Sequence, residues 1–189
     1  MGVVYPLLDL IMSDDSSDMT RVCASGACHE LSLSVTNKQR LCQAGAVPCM
    51  IALLTSEDML CARHAGTTLW NLAACEDIHC AMVRAGTIPA VMQMLGRREV
   101  ILLAKVSAAG VLRCLAESGD TWHVMYHTGV LGASVNLIYD YTQLPGNEMN
   151  AEVVALLDNV FELLKKLHRD PICRAYLKRL QIEPHDISW

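Results

Sequence analysis

The apolar residues of this chain recur with the spacing of helices. Residues 46–54 carry an apolar stripe behind a proline of the kind that the first turn of a helix tolerates. Residues 61–75 carry a second stripe, in which small and apolar residues share one face. The two stripes consist of Met50, Ile51, Leu53 and Leu54, and then of Ala65, Thr68, Leu69 and Leu72. We identify no strand pattern, so the sequence predicts an all-α fold.

A shorter helix precedes this pair. Residues 37–45, NKQRLCQAG, begin with Asn37, a favourable N-cap residue, and end at Gly45, a natural helix terminator. The matching segments begin at Asp77, Asp120 and Asp170, and the first two of them end at Gly86 and Gly129. Each unit is therefore predicted to contain a short first helix, a second helix and a longer third helix.

These units repeat along the chain. Residues 45–54 read GAVPCMIALL and residues 86–95 read GTIPAVMQML, while GVVYPLLDLI at 2–11 and GVLGASVNLI at 129–138 are weaker copies. The leading glycines are 43, 41 and 43 residues apart, and a fixed period of this length is typical of stacked repeats. Third helices are predicted at 18–35, 57–74, 98–117 and 147–168, with a turn at Pro145 and Gly146 in the one long connection, 139–150.

The unit resembles the armadillo repeat. The resemblance rests on the GAVP and GTIP motifs, on TTLWNLA at 67–73 and on the Asn or Asp that opens each short helix. It implies a right-handed superhelical solenoid of about four armadillo repeats in a shifted frame, incomplete at both ends. We expect a single domain over 1–189, with units at approximately 1–36 (partial), 37–76, 77–119, 120–169 and 170–189 (partial).

The resemblance also implies a binding surface, because armadillo proteins bind extended peptides or partner helices in a concave groove lined by third helices. Aligning the third helices on Leu69 gives the candidate groove residues, which are Trp70, Asn71, Arg113, Thr67, His29 and Phe161. Armadillo nuclear-import receptors use repeated tryptophan and asparagine pairs, and this chain has that pair once, as Trp70 and Asn71. Arg113 would repel a basic peptide, which argues against a nuclear-signal receptor. The groove is of mixed charge, with Glu30, Asp158 and Glu162 near its ends and Arg63, Lys105 and Arg113 near its middle.

Composition narrows the function further. The formal net charge of −5 argues against a partner such as nucleic acid, which is bound by neutralising phosphates. No apolar run approaches the length of a membrane helix, so we expect no membrane association. Nine cysteines without a recognisable signal peptide suggest reduced, buried thiols and a cytoplasmic or nuclear protein.

The sequence gives little support for a catalytic site or a metal site. Cys75, His79 and Cys80 form a small cluster, but no second pair stands at zinc-site spacing, so we expect no metal. The segment SDDSSD at 13–18 lacks the glycine and glutamate of a calcium loop and is expected to be a turn that caps the next helix. We expect no cofactor and no enzyme activity, with a cysteine-based enzyme as the weakest alternative.

The expected function is therefore that of a non-enzymatic scaffold that binds a protein or peptide partner in the groove. Two alternatives remain open: an assembly or docking subunit of a larger complex, for example a ciliary or cytoskeletal one, and a substrate-recruiting arm of a ubiquitin ligase. The apolar residues within 3–11 have no upstream repeat to cover them. They predict atypical packing, end-to-end self-association, or a longer array of which this chain is a part.

Overall fold

The computed structural model describes residues 2–97, 101–143 and 149–182. Within these ranges the chain forms twelve α-helices and no strand, which confirms the all-α prediction. The helices are α1 Val4–Met12, α2 Asp18–Ser32, α3 Val35–Gln43, α4 Ala46–Leu53, α5 Met59–Ala73, α6 His79–Arg84, α7 Thr87–Gly96, α8 Leu102–Leu115, α9 Trp122–His127, α10 Val130–Thr142, α11 Ala151–Leu167 and α12 Pro171–Arg179. The predicted turn at Pro145 and Gly146 and the predicted helical residues 98–100 lie outside the described residues.

Helix starts follow the capping residues in most units. The Asp58 carboxylate accepts hydrogen bonds from the backbone N–H groups of Leu60 and Cys61, at 2.8 and 2.9 Å, and so begins α5. Ser17, within the segment 13–18, caps α2 in the predicted way. Asp170 caps α12 through the N–H of Cys173.

The predicted starts of the other short helices are wrong by a few residues. Asn37 lies inside α3, because its own N–H already bonds to the carbonyl of Ser34, the residue before the helix. Asp77 and Asp120 lie within short 3-10 turns, Glu76–Ile78 and Gly119–Thr121, which lead into α6 and α9. A tight turn therefore replaces the first part of these two first helices.

The repeat glycines mark the passage from a first helix to a second. Gly45, Gly86 and Gly129 have φ of 89°, 82° and 77°, a left-handed conformation that glycine adopts without steric cost. After α12, where no glycine was found in the sequence, Gln181 adopts φ of 61°. A left-handed residue therefore also follows the first helix of the last, partial unit, here with an ordinary side chain.

Helices of the same type stack side by side. The third helices pack in the order α2, α5, α8 and α11, and the second helices pack in the order α1, α4, α7 and α10. The core lies between these two layers, and its fully buried side chains include Met50, Leu69, Met94 and Leu112. This arrangement is the predicted α-solenoid. The boundaries of the individual units stay a prediction.

Helix α1 packs on the rest of the structure by one face only. Val4, Leu8 and Ile11 of α1 are buried, and α1 contacts α2 and α4. Leu7 is partly buried against the core, whereas four neighbouring apolar residues are exposed: Val3, Tyr5, Leu10 and Met12. The segment 3–11 is therefore half covered, as a helix at the edge of a stack would be.

Candidate functional site

The exposed surface of α2, α5, α8 and α11 is the third-helix face. The alignment on Leu69 predicted which residues of these helices point inward, and Cys28, Leu69, Leu112 and Val160 are all buried. The next residue along three of the helices is half-buried, namely His29, Trp70 and Arg113. The third helices therefore share the register that the sequence predicted.

Phe161 is the exception in this row. Its side chain is only 7% exposed and belongs to the hydrophobic core, so it does not offer the surface that its position predicted. Lys105, which was expected in the middle of the groove, is likewise buried. Both corrections arise because α8 and α11 bury a wider face than α2 and α5 do.

Trp70 joins two third helices. A Cβ atom added to Gly110 of α8 would lie 2.4 Å from Cε2 of the Trp70 indole, so the ring packs directly on the glycine backbone. Trp70 also contacts the core while remaining half-buried. Its position is therefore fixed by the absence of a side chain at Gly110, and part of the ring stays open to solvent.

Arg113 is held one turn further along α8. Its Nε donates a hydrogen bond to Oδ1 of Asn159 on α11, at 2.8 Å, and Nδ2 of Asn159 donates to the carbonyl of Ala155 at 2.9 Å. Lys166 ties the same two helices together, because its Nζ donates to the carbonyl of Arg113 at 3.2 Å and pairs with Glu117. The guanidinium is thus oriented by residues of the neighbouring repeat.

Cys114 lies beside these groups. Burial raises the pKa of its thiol, and the nearby charges of Arg113 and Lys166 oppose that shift only in part. A thiol with a raised pKa is protonated at neutral pH, which makes it a poor nucleophile.

Asn71 and Thr67 are partly engaged within the fold. Nδ2 of Asn71 donates to Oγ of Ser32 on α2 at 2.9 Å, and Oγ of Ser32 donates to the carbonyl of His29 at 2.6 Å. The Thr67 hydroxyl bonds back to the carbonyl of Arg63 at 2.9 Å. These bonds fix both side chains at the surface between α2 and α5.

Two histidines lie together at the α2 end of the face. The rings of His29 and His64 are parallel, with 6.2 Å between their centroids, and Nδ1 of His64 is 3.2 Å from Oγ of Ser25. Burial lowers the pKa of His64, and the positive charges of Arg63 and His29 lower it further. The sequence analysis did not single out His64. Its ring lies against Gly26 on the preceding third helix, and this glycine was the signal that could have indicated it.

Exposed carboxylates lie toward the ends of the third-helix face. Glu30, Asp158 and Glu162 are exposed, as predicted. The pKa of Glu162 is lowered, chiefly by its hydrogen bond with Lys165 at 2.7 Å. The face therefore has cationic groups in its middle, Arg63 and Arg113, and carboxylates toward both ends.

The cluster considered for a metal is not arranged as a metal site, and His79 makes a different contact. Within the described part of the chain, no group of three or more His, Cys, Asp and Glu side chains is arranged to hold a metal ion. His79 is buried, and its Nε2 is 2.7 Å from the carbonyl of Ala73, at the end of α5. Nε1 of Trp122 donates to the equivalent carbonyl of Ala116 at 2.9 Å, one repeat later. Among the described helices, none is both long and apolar enough to cross a membrane.

Taken together, the three-helix units, the left-handed steps and the stacked layers define an α-solenoid of repeats. The Armadillo/beta-catenin-like repeat profile matches residues 34–74. Residues 34–74 are therefore an armadillo repeat, and the chain as a whole has the armadillo-repeat fold. The resemblance predicted from the sequence is confirmed.

Solved structures similar to this chain include designed armadillo repeat proteins. A computationally designed armadillo repeat protein for modular peptide recognition is similar over 97% of this chain and 72% of its own, with a TM-score of 0.82 and 18% identity. A designed armadillo repeat protein in complex with the peptide (KR)4 is similar over 95% of this chain and 74% of its own, with a TM-score of 0.71 and 19% identity. No curated protein sequence matches the chain.

Proposed function

We propose that this protein is a non-enzymatic scaffold that binds a peptide or helix of a partner protein on its third-helix face. The armadillo fold commonly mediates such binding and is generally not catalytic. Designed proteins of the same fold recognise peptides, and one of them is complexed with (KR)4. Nine free cysteines fit a reducing cytoplasmic or nuclear setting, which we propose for the protein.

The observation that carries this proposal is the presence of Trp70 and Arg113 on the two central third helices, α5 and α8. Trp70 lies on Gly110, and Arg113 follows Gly110 by three residues on the same helix face. Both side chains are held in place before any partner arrives, which lowers the entropic cost of binding. Tryptophan and arginine are also the side chains that most often dominate binding energy. His29, Thr67 and Asn71 flank this pair as secondary contacts.

The charge of the face indicates the chemistry of the partner. Arg113 and Arg63 favour carboxylate or carbonyl groups opposite the middle of the face, whereas Glu30, Asp158 and Glu162 favour cations opposite its ends. We therefore expect the bound segment to be acidic or neutral in its centre. A uniformly basic peptide such as (KR)4 should bind poorly, because its central cations would meet Arg113.

Selection from a random peptide library displayed on phage tests this proposal. Peptides selected on the wild-type protein should bind Trp70→Ala and Arg113→Ala about tenfold or more weakly, as hot-spot residues do. Arg84→Ala, an exposed change on α6 outside the face, is the matched control and should bind equally well. Arg113→Lys adds a variant that keeps the charge but loses the planar fork.

The result that would overturn the proposal is specific. If the selected peptides bind all four variants as tightly as they bind the wild type, the partner surface lies elsewhere. The thermal unfolding of Trp70→Ala is measured alongside, since this residue packs on Gly110 and also contributes to stability. Arg113→Ala then decides the question if Trp70→Ala fails to fold.

A docking subunit of a larger assembly, such as a ciliary or cytoskeletal complex, is the second candidate. The observation that favours it is the exposed apolar surface of α1, where Tyr5, Leu10 and Met12 face solvent. A substrate-recruiting arm of a ubiquitin ligase would use the third-helix face in the same way as the main proposal. Identifying the partner distinguishes a ligase arm from a general scaffold.

A further inference from the structure

A cleft between two first helices has a largely aromatic lining. It lies between α9 and the start of α12, and none of its lining residues belongs to the third-helix face. The cleft has a volume of about 220 Å³ and is lined mainly by Trp122, His123, Tyr126, His127, Asp170 and Ile172. Pockets for drug-sized ligands typically measure about 300–1,000 Å³, so this cleft has room for one side chain or a small ion. We name it the aromatic cleft.

The repeat itself does not require aromatic residues at these positions. Trp122 and Tyr126 lie seven and three residues before the repeat glycine Gly129. The same positions in the two preceding first helices hold the pairs His79 and Val83, and Lys38 and Cys42. An indole and a phenol on one face of this helix are therefore a feature of this unit and not of the repeat.

Trp122 and Tyr126 are held in place while part of each side chain remains exposed. Nε1 of Trp122 donates a hydrogen bond to the carbonyl of Ala116 at 2.9 Å. The ring of Tyr126 makes edge-to-face contacts with His127 and with Tyr176 of α12, with 5.3 and 5.8 Å between the ring centroids. Both side chains are half-buried. Rings that are already ordered lose little entropy when a ligand binds.

The acidic group of the aromatic cleft is Asp170, which caps α12. Its Oδ1 accepts a hydrogen bond from the backbone N–H of Cys173 at 2.8 Å, and the carboxylate lies beside the thiol of the same residue. Burial raises the pKa of this thiol to about 12, so both neighbours of the carboxylate are neutral. Among the described residues, no lysine or arginine forms an ion pair with Asp170. Its negative charge is therefore available to a bound cation.

The arginines of this region lie outside the aromatic cleft. Arg174 of α12 points back to the turn after α11, where its Nε and Nη2 donate to the carbonyls of His168 and Arg169, at 3.1 and 3.3 Å. Arg169 is exposed, and neither arginine lines the cleft. A second exposed carboxylate, Asp120, directly follows Gly119, which does line it. The groups at the cleft therefore favour a cation over an anion.

We propose that the aromatic cleft binds an alkylammonium group, presented either by a lysine side chain of a partner protein or by a small quaternary amine. The cation lies against the rings of Trp122 and Tyr126, whose π electrons attract it, and Asp170 supplies the opposite charge. Aromatic cages commonly recognise methylated ammonium groups in this way. The site is separate from the third-helix face, so both surfaces can be occupied at once.

Titration of the isotope-labelled protein with choline, followed by NMR, provides the first test. The control ligand is 3,3-dimethylbutan-1-ol, which has the shape of choline but no charge. Choline should bind about tenfold or more tightly than this alcohol and should shift the indole N–H signal of Trp122. The measurement is made at pH 8, because a neutral imidazole does not repel a cation.

Three substitutions test the residues of the aromatic cleft. Asp170→Asn removes the charge but keeps a side chain that can cap α12. Trp122→His and Tyr126→Val introduce the residues that the preceding repeat has at these positions. Each change should weaken choline binding about fivefold or more. Asp77→Asn, which removes an exposed carboxylate from the preceding repeat, is the matched control and should bind choline as the wild type does.

A second pair of ligands distinguishes the two sources of the ammonium group. Tighter binding of a blocked trimethyllysine peptide than of choline would identify a lysine side chain of a partner protein. Tighter binding of choline would identify a small quaternary amine. Either result supports an ammonium site.

Three results would overturn the proposal. The first is an absence of choline binding, and the second is equal binding of choline and 3,3-dimethylbutan-1-ol, which would show an apolar cleft only. The third is wild-type affinity for choline in Asp170→Asn, which decides the question if Trp122→His loses its helical circular dichroism signal. Peptides selected on the third-helix face should bind Asp170→Asn as they bind the wild type, so the two proposals fail independently.

Discussion

The contact between α5 and α8 and the exposed surface of α1 are built from the same repeat, but they differ in what covers them. Between α5 and α8 the backbones approach closely, because Gly66 and Gly110 leave room for Ser107 and Trp70. At α1, Leu10 is 43% exposed, whereas Leu53 and Met94, which hold the same place after the repeat glycines in α4 and α7, are buried. The same sequence pattern therefore gives a closely packed contact between third helices and an exposed apolar surface on α1.

Truncating leucine side chains should give the largest effects on stability and should distinguish these two regions. Leu69→Ala and Leu112→Ala remove fully buried side chains and should each lower the free energy of unfolding by about 2–5 kcal/mol. Leu10→Ala, in a monomer, should cost less than about 1 kcal/mol, because its side chain is already in water over much of its surface. Urea unfolding at low protein concentration measures all three. Equal losses would mean that the two regions do not differ in packing.

The close approach of α5 and α8 should be the next most sensitive feature. Gly110→Ala places a methyl group 2.4 Å from the Trp70 ring and should destabilise the protein by about 1–3 kcal/mol. Gly96→Ala at the end of α7 is the control, since nothing lies within 4 Å of its added Cβ. Combining Gly110→Ala with Trp70→Ala should cost less than the sum of the two single changes. Strict additivity would show that the ring and the glycine are not coupled.

Substitutions at the left-handed residues should have smaller effects on stability. Gly86→Ala should lower the free energy of unfolding by about 1–2 kcal/mol, because its φ of 82° strains any residue with a Cβ. Gln181→Gly should raise it, by at most about 1 kcal/mol, because Gln181 adopts φ of 61° at the last described step. Thermal unfolding of both variants gives the comparison. A loss of stability in Gln181→Gly would mean that its side chain contributes more than the backbone strain costs.

The smallest effect should be a dependence of stability on pH at His64. Burial, followed by the charges of Arg63 and His29, lowers the pKa of His64 below its ordinary value of 6.5. The unfolded chain therefore takes up this proton first, so the stabilisation is present above pH 6.5 and is lost as the pH falls below it. The urea midpoint of the wild type should fall more steeply below pH 6.5 than that of His64→Gln. Identical slopes would assign the pH dependence to other groups.

The register of the fold was predictable because every repeat must meet the same packing requirement. A third helix must bury one face against the second-helix layer, and this requirement alone places Leu69 and Leu112 inside. The left-handed steps at Gly45 and Gly86 were predictable for a similar reason, since few other residues adopt that conformation. Periodicity and backbone sterics therefore carried the correct part of the prediction.

The errors arose where contacts between helices decide the outcome. Phe161 belongs to the hydrophobic core, which its row position did not indicate. Asn37 is a suitable capping residue, but the turn after α2 places Ser34 at the start of α3 instead. The bond from Arg113 to Asn159 joins residues 46 positions apart, and no local pattern indicates it. These features depend on how repeats meet, and a single repeat does not contain that information.

His79 and Trp122 show that equivalent positions of two repeats can hold different residues and make the same contact. An imidazole in one repeat and an indole in the next each reach the closing carbonyl of the adjacent long helix, at Ala73 and Ala116. Two chemically unrelated rings are thus interchangeable at one joint, provided that each carries a nitrogen at the right reach. A repeat can therefore keep its architecture although its sequence departs from the family profile, which matches residues 34–74, whereas the fold is similar to a designed armadillo repeat protein over 97% of the chain.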